Sequence, residues 1–513
     1  MTSRGNDRPL DGPRDGSMRT STAVQASTIP LDPARTRPAA PGPGSGRLAI
    51  WYVVFAGYAG LVAIFSGPGD DRSWGIWAAA AYAAAALAAA RWRSYGRDAA
   101  LVASLAGALV IPLAWLAAHA PATPDVLVVS RSAALLLAHG TPYLSGSQLG
   151  PLAGPIAYNP YLPAMAVFGL PRALGVQGLA GDPRLWLGAT SVVLLTLAFR
   201  VAGRREALRC SLFAVASPAV AFPLALGITD PPVLALMCLA LALLSQRSRT
   251  LALWPAAIAL GAACAMKATA WPALAVLAAM LAARDGAREA ARFIIAAVAT
   301  TAVVVVALAP AILAGPAVMI QNTVLFPLGL THIKTPAESP LPGHLLAMIG
   351  PDGRLAAIGL LIAAGLAIAV SLVVRPPADG AAAARRLALG LTLMFALSPA
   401  TRLGYFAYPI GLYGWLALRG RGARAARELR PAADLRESGT ARTGSGNGAS
   451  AEPARHRPAS RAGRSARFGG LLDRGESHRD AFMRSLRAIG NLGISVVTEP
   501  FVEHGDTVGE ELP

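Results

Sequence analysis

The feature that most limits what this chain can fold into is a series of apolar runs, each about as long as a bilayer is thick, separated by short loops in which arginine recurs. Runs at about 48–66, 74–90 and 99–118 open the series, and at ~1.5 Å per helical residue each can cross a hydrocarbon core of ~30 Å. Lipid offers no partner to backbone N–H and C=O groups, so a spanning segment of this kind must be helical. Composition agrees: 54% of residues are hydrophobic and 14% charged, whereas roughly a quarter are charged in a soluble domain. The expected fold is all-α, a polytopic transmembrane bundle over 47–419. Residues 1–46 and 420–513 are polar, without periodicity for most of their length, and are expected to be disordered cytoplasmic tails.

The arginines orient the bundle. Arg91, Arg93 and Arg97 follow the second run, while Asp70 and Asp71 precede it. By the positive-inside rule the N-terminus is cytoplasmic and the loop 119–160 lies outside. Further runs fall at about 184–200, 210–227, 231–245, 290–310, 355–374, 386–398 and 403–418. The stretch 251–283 is interrupted by Lys267-Ala-Thr-Ala-Trp271-Pro272 and reads as two short helices meeting at the lysine. All arginine clusters can be cytoplasmic together if 156–175, with Pro160, Pro163 and Pro171, is re-entrant or interfacial. The alternative is a true crossing that leaves one cluster outside. The first arrangement gives about twelve crossings with both termini cytoplasmic. The first run starts behind more than forty polar residues and is expected to remain as an anchor.

A net charge of +18 would suggest nucleic acid in a soluble chain, but no aromatic-interleaved basic motif is present, and nucleic acid is not an expected partner. Cys210, Cys238 and Cys264 all lie in apolar runs, which excludes a disulfide framework and a CxxC metal site. Among 46 Lys+Arg residues only Lys267 and Lys334 are lysines. With abundant Ala and Gly, this looks like the codon bias of a GC-rich bacterial genome, and the expected location is a bacterial plasma membrane. Either the two lysines survived by chance, or a compact ammonium was wanted at both places.

In this topology the chemistry-bearing residues share the outer face. Asp125 follows Pro121 and Pro124 at a helix start, where it reads either as a cap or as a general base at a partly dehydrated interface. Tyr143, Tyr158, Asn159 and Tyr161 form an aromatic and amide edge, suited to an interfacial belt or to a sugar. Asp230, in Gly227-Ile-Thr-Asp-Pro-Pro, reads as a helix-starting acid or a functional one. Lys267 needs an anion, which Asp230, another acid or a lipid phosphate could supply. His332, Lys334, Glu338 and His344 share one irregular outer segment, 311–353, suited to an anion or a metal, although their spacing matches no zinc pattern. Arg402, in Ser398-Pro-Ala-Thr-Arg-Leu-Gly-Tyr405, repeats a cation beside tyrosine at an outer helix start.

The pattern resembles the GT-C glycosyltransferases, and within them glycosyltransferase family 87, the polyprenyl-phosphomannose-dependent type. The likeness lies in Asp125 followed by Gly140 and Tyr143, Tyr158-x-Pro160 closing the loop, the acid-bearing turn at Asp230, Gly261 with Lys267, and Ser398-Pro399 with Tyr405. It covers about 48–418, and departs at Val128 and at Asp230, where an aromatic and an amide are commoner. The resemblance implies an inverting transferase moving a sugar, mannose first, from a polyprenyl phosphate to an envelope glycan or glycolipid at the outer face. Asp125 would be the base; Lys267, Lys334, Arg402, His332 and His344 would hold the donor phosphate; Tyr143, Tyr158, Asn159 and Asp230 would contact substrate. No cofactor is implied, a divalent cation being the one possibility left open. The rival readings are a transporter or flippase of a lipid-linked or small polar substrate, and an inactive envelope-assembly scaffold. A transporter would place charges near the midplane of discontinuous helices in repeated halves; here they gather at one face and no repeat is evident.

Overall fold

A computed structural model describes residues 45–419 apart from 68, 93–94, 145–147, 150–153, 247–248, 332 and 334. Both expected tails, 1–46 apart from its last two residues and 420–513, therefore lie outside the described residues. Within them the regular structure is helical, and the one β feature is an isolated bridge between Glu338 and Thr401. The longer helices are α1 (Ser45–Phe65), α2 (Asp70–Arg91), α3 (Gly96–His119), α4 (Pro124–His139), α5 (Pro183–Val201), α6 (Ala207–Val215) and α7 (Pro218–Leu226). They continue with α8 (Asp230–Leu244), α9 (Arg249–Met266), α10 (Trp271–Asp285), α11 (Ala287–Leu308), α12 (Pro342–Met348), α13 (Pro351–Val374), α14 (Gly380–Leu397) and α15 over 407–419.

Seven of these helices are long and apolar enough to span a membrane singly, and α6 with α7 makes an eighth if the pair, bent by 67°, is one broken span. The count falls short of about twelve for a physical reason. Helix α8 has 15 residues, or about 22 Å of length, less than a full hydrocarbon core. The apolar part of α9, Ala252–Met266, and the 15-residue α10 are similarly short, and the two helices meet at Lys267 as the interrupted stretch suggests. Nearly every residue of α8 is buried, from Asp230 to Leu244, so it runs through the middle of the bundle rather than along lipid.

Small residues set how closely the helices approach. A Cβ at Gly261 of α9 would come within 2.6 Å of the Ala297 carbonyl oxygen of α11, and the Thr301 hydroxyl donates to the Gly261 carbonyl at 3.0 Å. Breaks in the helices have their freed carbonyls satisfied. The bend before Pro218 leaves the Ala216 carbonyl to the Tyr82 hydroxyl at 2.6 Å, and a π-turn at Ala106–Val110 leaves Ala108 to the Trp74 indole at 2.8 Å.

Contacts between loops define two ends. At one, Asp98 pairs with Arg209, Arg284 donates to the Leu244 carbonyl at 2.7 Å, and Asp379 caps Ala382 N at 2.7 Å. A cavity of about 280 Å³ lined by Ser245, Gln246, Arg284, Asp379 and Arg419 opens there. At the other end, Thr123 Oγ1 donates to the Leu226 carbonyl at 2.7 Å, Leu162 N to Met266 O at 3.0 Å, and Thr401 N to Ala337 O at 2.8 Å. The segment 156–175 contains no spanning helix. It forms short turns at Pro155–Ala157 and Pro163–Gly169 and a single helical turn at Leu170–Ala173, packed under the amphipathic α4.

Candidate functional site

Asp125 sits in the first turn of α4, and the carboxylate does not cap that turn: the N-cap is Thr123, whose hydroxyl goes to Leu226 instead. Asp125 Oδ1 accepts a hydrogen bond from the Tyr161 hydroxyl. Burial, and then the charge of Asp125, push the Tyr161 phenol well above its ordinary pKa, so it stays protonated and donates.

Tyr161 is held by its neighbours. Its backbone N–H donates to Asn159 Oδ1 at 3.0 Å, and its carbonyl accepts from the Tyr143 hydroxyl at 2.9 Å. Asn159 is in turn fixed: its Nδ2 donates to Ser132 Oγ at 2.9 Å, and its N–H donates to Asn322 Oδ1 at 2.8 Å. Tyr158 stacks on Phe326 with ring centroids 4.4 Å apart and planes 7° from parallel. Tyr143, Tyr158 and Asn159 are 2%, 0% and 2% exposed. Their faces are closed by protein, and Tyr143 and Asn159 hold Tyr161 in place.

Asp230 and Lys267 meet across the α7–α8 turn and the α9–α10 break. Lys267 Nζ donates to Asp230 Oδ1, and to Thr229 Oγ1 at 3.4 Å. The ammonium lies 5.4 Å from the Tyr161 ring centroid and 5.2 Å from that of Tyr405, both within cation–π range. Asp230 and Lys267 are 2% and 8% exposed; they pair through Oδ1, while Asp230 Oδ2 is buried with no hydrogen-bond partner among the described residues. That geometry makes Asp230 the anion Lys267 required.

The turn carrying Asp230 is shaped by Gly227, at φ 82°, where a Cβ would run into Val126 Cγ2 and lie 3.0 Å from Arg184 Cγ. Only a glycine lets the α7–α8 turn lie against the residue that follows Asp125.

Arg402 differs from Lys267. Among the described residues its guanidinium has neither a hydrogen bond nor a carboxylate at ion-pair distance, and it is only partly buried. Burial is the largest influence and works against its charge, but Asp125, Tyr405, Tyr161 and Asp230 together outweigh it, and its pKa stands above the usual arginine value. Its turn is stitched to the 335–341 segment: Ser339 N–H donates to Thr401 O at 3.0 Å and Leu403 N–H to Ser339 Oγ at 3.0 Å. His344 Nδ1 lies 2.9 Å from the Pro399 carbonyl and so braces this turn. His332 and Lys334 lie outside the described residues; Ile333 between them packs against the Leu149, Tyr158 and Phe326 cluster.

The structure thus brings Asp125, Asp230, Lys267 and Arg402 to one end of the bundle. It adds Tyr161, Thr229 and Tyr405 as their direct partners. Tyr161 and Tyr405 are among the tyrosines that stand out in the sequence, without a sign of which acid or cation each meets; Thr229, a threonine before a helix, carries no distinguishing signal.

Residues 159–399 match the family model of glycosyltransferase family 87. No curated protein and no solved structure matches the chain. The family 87 segment contains Tyr161, Thr229, Asp230 and Lys267; Asp125 precedes it and Arg402 follows it. The matched family is one of glycosyltransferases, and the apolar helices are those of a multi-pass membrane protein.

Proposed function

We propose that this protein is a membrane glycosyltransferase that moves a sugar, mannose first, from a polyprenyl-phosphate donor to a glycan or glycolipid acceptor at the outer face of the bacterial plasma membrane. In this reading the arginine-rich end is cytoplasmic by the positive-inside rule, the short central helices α8, α9 and α10 also cross, and the Asp125 end faces outward.

The observation that carries the reading is an acid and an unpartnered cation at the same end of the bundle. Asp125 has one carboxylate oxygen engaged by Tyr161, which leaves the other for an acceptor hydroxyl. Arg402 feels the charge of Asp125 without an ion pair to it, and has no donor spent on any described residue. The acceptor hydroxyl gives its proton to Asp125 as its oxygen attacks the anomeric carbon. The bond from that carbon to the phosphate oxygen breaks with inversion, and the phosphate leaves with its electron pair. Arg402 offers the forked donors suited to the charge that develops there. Lys267, already paired with Asp230, supports the site from behind. His332, Lys334 and His344 stay as secondary candidates for the phosphate.

The experiment is transfer of labelled sugar from defined polyprenyl-phosphate donors in membranes holding the full chain. Transfer from a polyprenyl-phosphate sugar, lost on Asp125→Asn, supports the reading. Movement of a lipid-linked sugar across the membrane without transfer favours the transporter.

A further inference from the structure

We propose that the cavity at the arginine-rich end of the bundle binds a phosphate ester carrying an amino group, chemistry shared by an aminoalkyl phosphate in solution and an ethanolamine lipid headgroup. The cavity lies at the far end of α8 from Asp230 and is separate from the proposed transfer site.

Two arginines form its anion-binding side. Arg284, at the end of α10, is fixed by protein: its Nε and Nη2 lie 2.9 and 2.8 Å from Asp285 Oδ2, and its Nη1 donates to the Leu244 carbonyl at 2.7 Å. Arg419, at the end of α15, holds its guanidinium 5.2 Å from the Trp415 ring centroid. Its Nη1 is buried and has no hydrogen-bond partner among the described residues. Such a nitrogen is costly to leave unpaired, and an anion in the adjoining cavity offsets that cost. A phosphate fits, because its oxygens match the forked donors of a guanidinium.

The other polar groups have their donors spent. The Ser245 hydroxyl donates to the Leu241 carbonyl at 2.6 Å. Gln246 Nε2 donates to the Val201 carbonyl, and to that of Ala242 at 3.3 Å. Asp379 Oδ1 accepts from Ala382 N–H at 2.7 Å. What remains for a ligand is Ser245 Oγ, Gln246 Oε1 and Asp379 Oδ2, acceptors all. A fully ionised phosphate offers these nothing, whereas an ammonium brings three donors and a charge opposite to that of Asp379.

Size agrees with two groups in place of one. The cavity measures about 280 Å³; at ~30 Å³ per water-sized group it takes roughly nine non-hydrogen atoms. That exceeds a bare phosphate and suits a phosphate with a short amino arm. Gly380 keeps the gap open: a Cβ there would lie 2.0 Å from Ser245 Oγ and 3.4 Å from Arg419 Nη1.

The test is lipid binding to the full chain in detergent, followed by native mass spectrometry with short-chain phosphatidylethanolamine and phosphatidylcholine. The two lipids carry equal net charge, but the quaternary choline has no N–H to donate. The expected result is ethanolamine lipid bound at least about fivefold more tightly, the worth of one hydrogen bond. Arg419→Gln removes the unpaired cation and Gly380→Ala fills the gap. Each is expected to weaken that binding by about 10-fold or more, the loss of a charge-assisted contact or of the space for it. Melting without lipid shows that a variant is folded, and the two act independently, so either one alone decides. Free phosphoethanolamine separates the sources: displacement of the lipid shows that the headgroup alone is held, and no displacement assigns the site to the lipid. Equal binding of the two lipids, no binding, or wild-type binding by either folded variant overturns the site. No sugar transfer is needed for any of these readings, so the transferase proposal stands or falls separately.

Discussion

Lys267 and Asp230 form a buried ion pair across 37 residues of sequence, joining the break between α9 and α10 to the first turn of α8. One of only two lysines in the chain is thereby spent inside the protein, while Arg402, without a hydrogen bond or ion pair to any described residue, keeps its donors.

Breaking that pair is expected to cost more than removing it. Lys267→Met or Asp230→Asn alone strands a buried group, a loss of about 3–5 kcal/mol. The double variant Lys267→Met/Asp230→Leu is expected to melt at a higher temperature than either single variant. Thermal unfolding in detergent checks this; a double variant less stable than both singles contradicts it.

How far was this arrangement legible in the sequence? The break at Lys267 was, because a polar residue followed by Trp271-Pro272 cannot sit in the middle of one long apolar helix. The failure of 156–175 to span was legible from its three prolines. The 67° bend before Pro218 was not, since a proline in the first turn of a helix usually starts it without bending the run before it. The division of labour among Tyr143, Tyr158, Asn159 and Tyr161 was also hidden. They lie on short turns with no helical or strand period, so no spacing rule says which hydroxyl meets Asp125. The Asp230–Lys267 pair joins distant segments, and only tertiary packing could single it out from the other acids.

Arg402 is expected to act on donor binding. Arg402→Ala should raise donor KM by about 10- to 100-fold, the loss of a charge-assisted contact to phosphate. Arg402→Lys should fall between, because a lysine keeps the charge but loses the fork. Titration of the polyprenyl-phosphate sugar measures this, and an unchanged KM in Arg402→Ala removes the phosphate role.

Gly227→Ala meets two obstacles: a backbone at φ 82° that alanine rarely adopts, and contact with Val126 beside Asp125. The expected cost is about 1–3 kcal/mol of stability, with activity falling further than stability does because the α7–α8 turn is pushed away from α4. Melting temperature and transfer rate, measured on the same preparation, check the pair of effects.

The two ends of the bundle should be reached from opposite sides of the membrane. The native Cys210, Cys238 and Cys264 are buried, so single cysteines can be added on a quiet background. Positions 122 and 404 are expected to react with an impermeant reagent from outside, and 205 and 378 only after the membrane is opened. Labelling of 122 and 404 from different sides contradicts a shared outer face.

The central claim is that Asp125 accepts the proton of the attacking hydroxyl, and the most direct measurement is sugar transfer by Asp125→Asn in membranes supplied with labelled polyprenyl-phosphate mannose. Asparagine keeps the shape of the carboxylate and can still accept from Tyr161, but it cannot take the proton. The expected result is a loss of at least about 100-fold in kcat, the usual worth of a general base, with donor KM little changed. Transfer at the wild-type rate would contradict it.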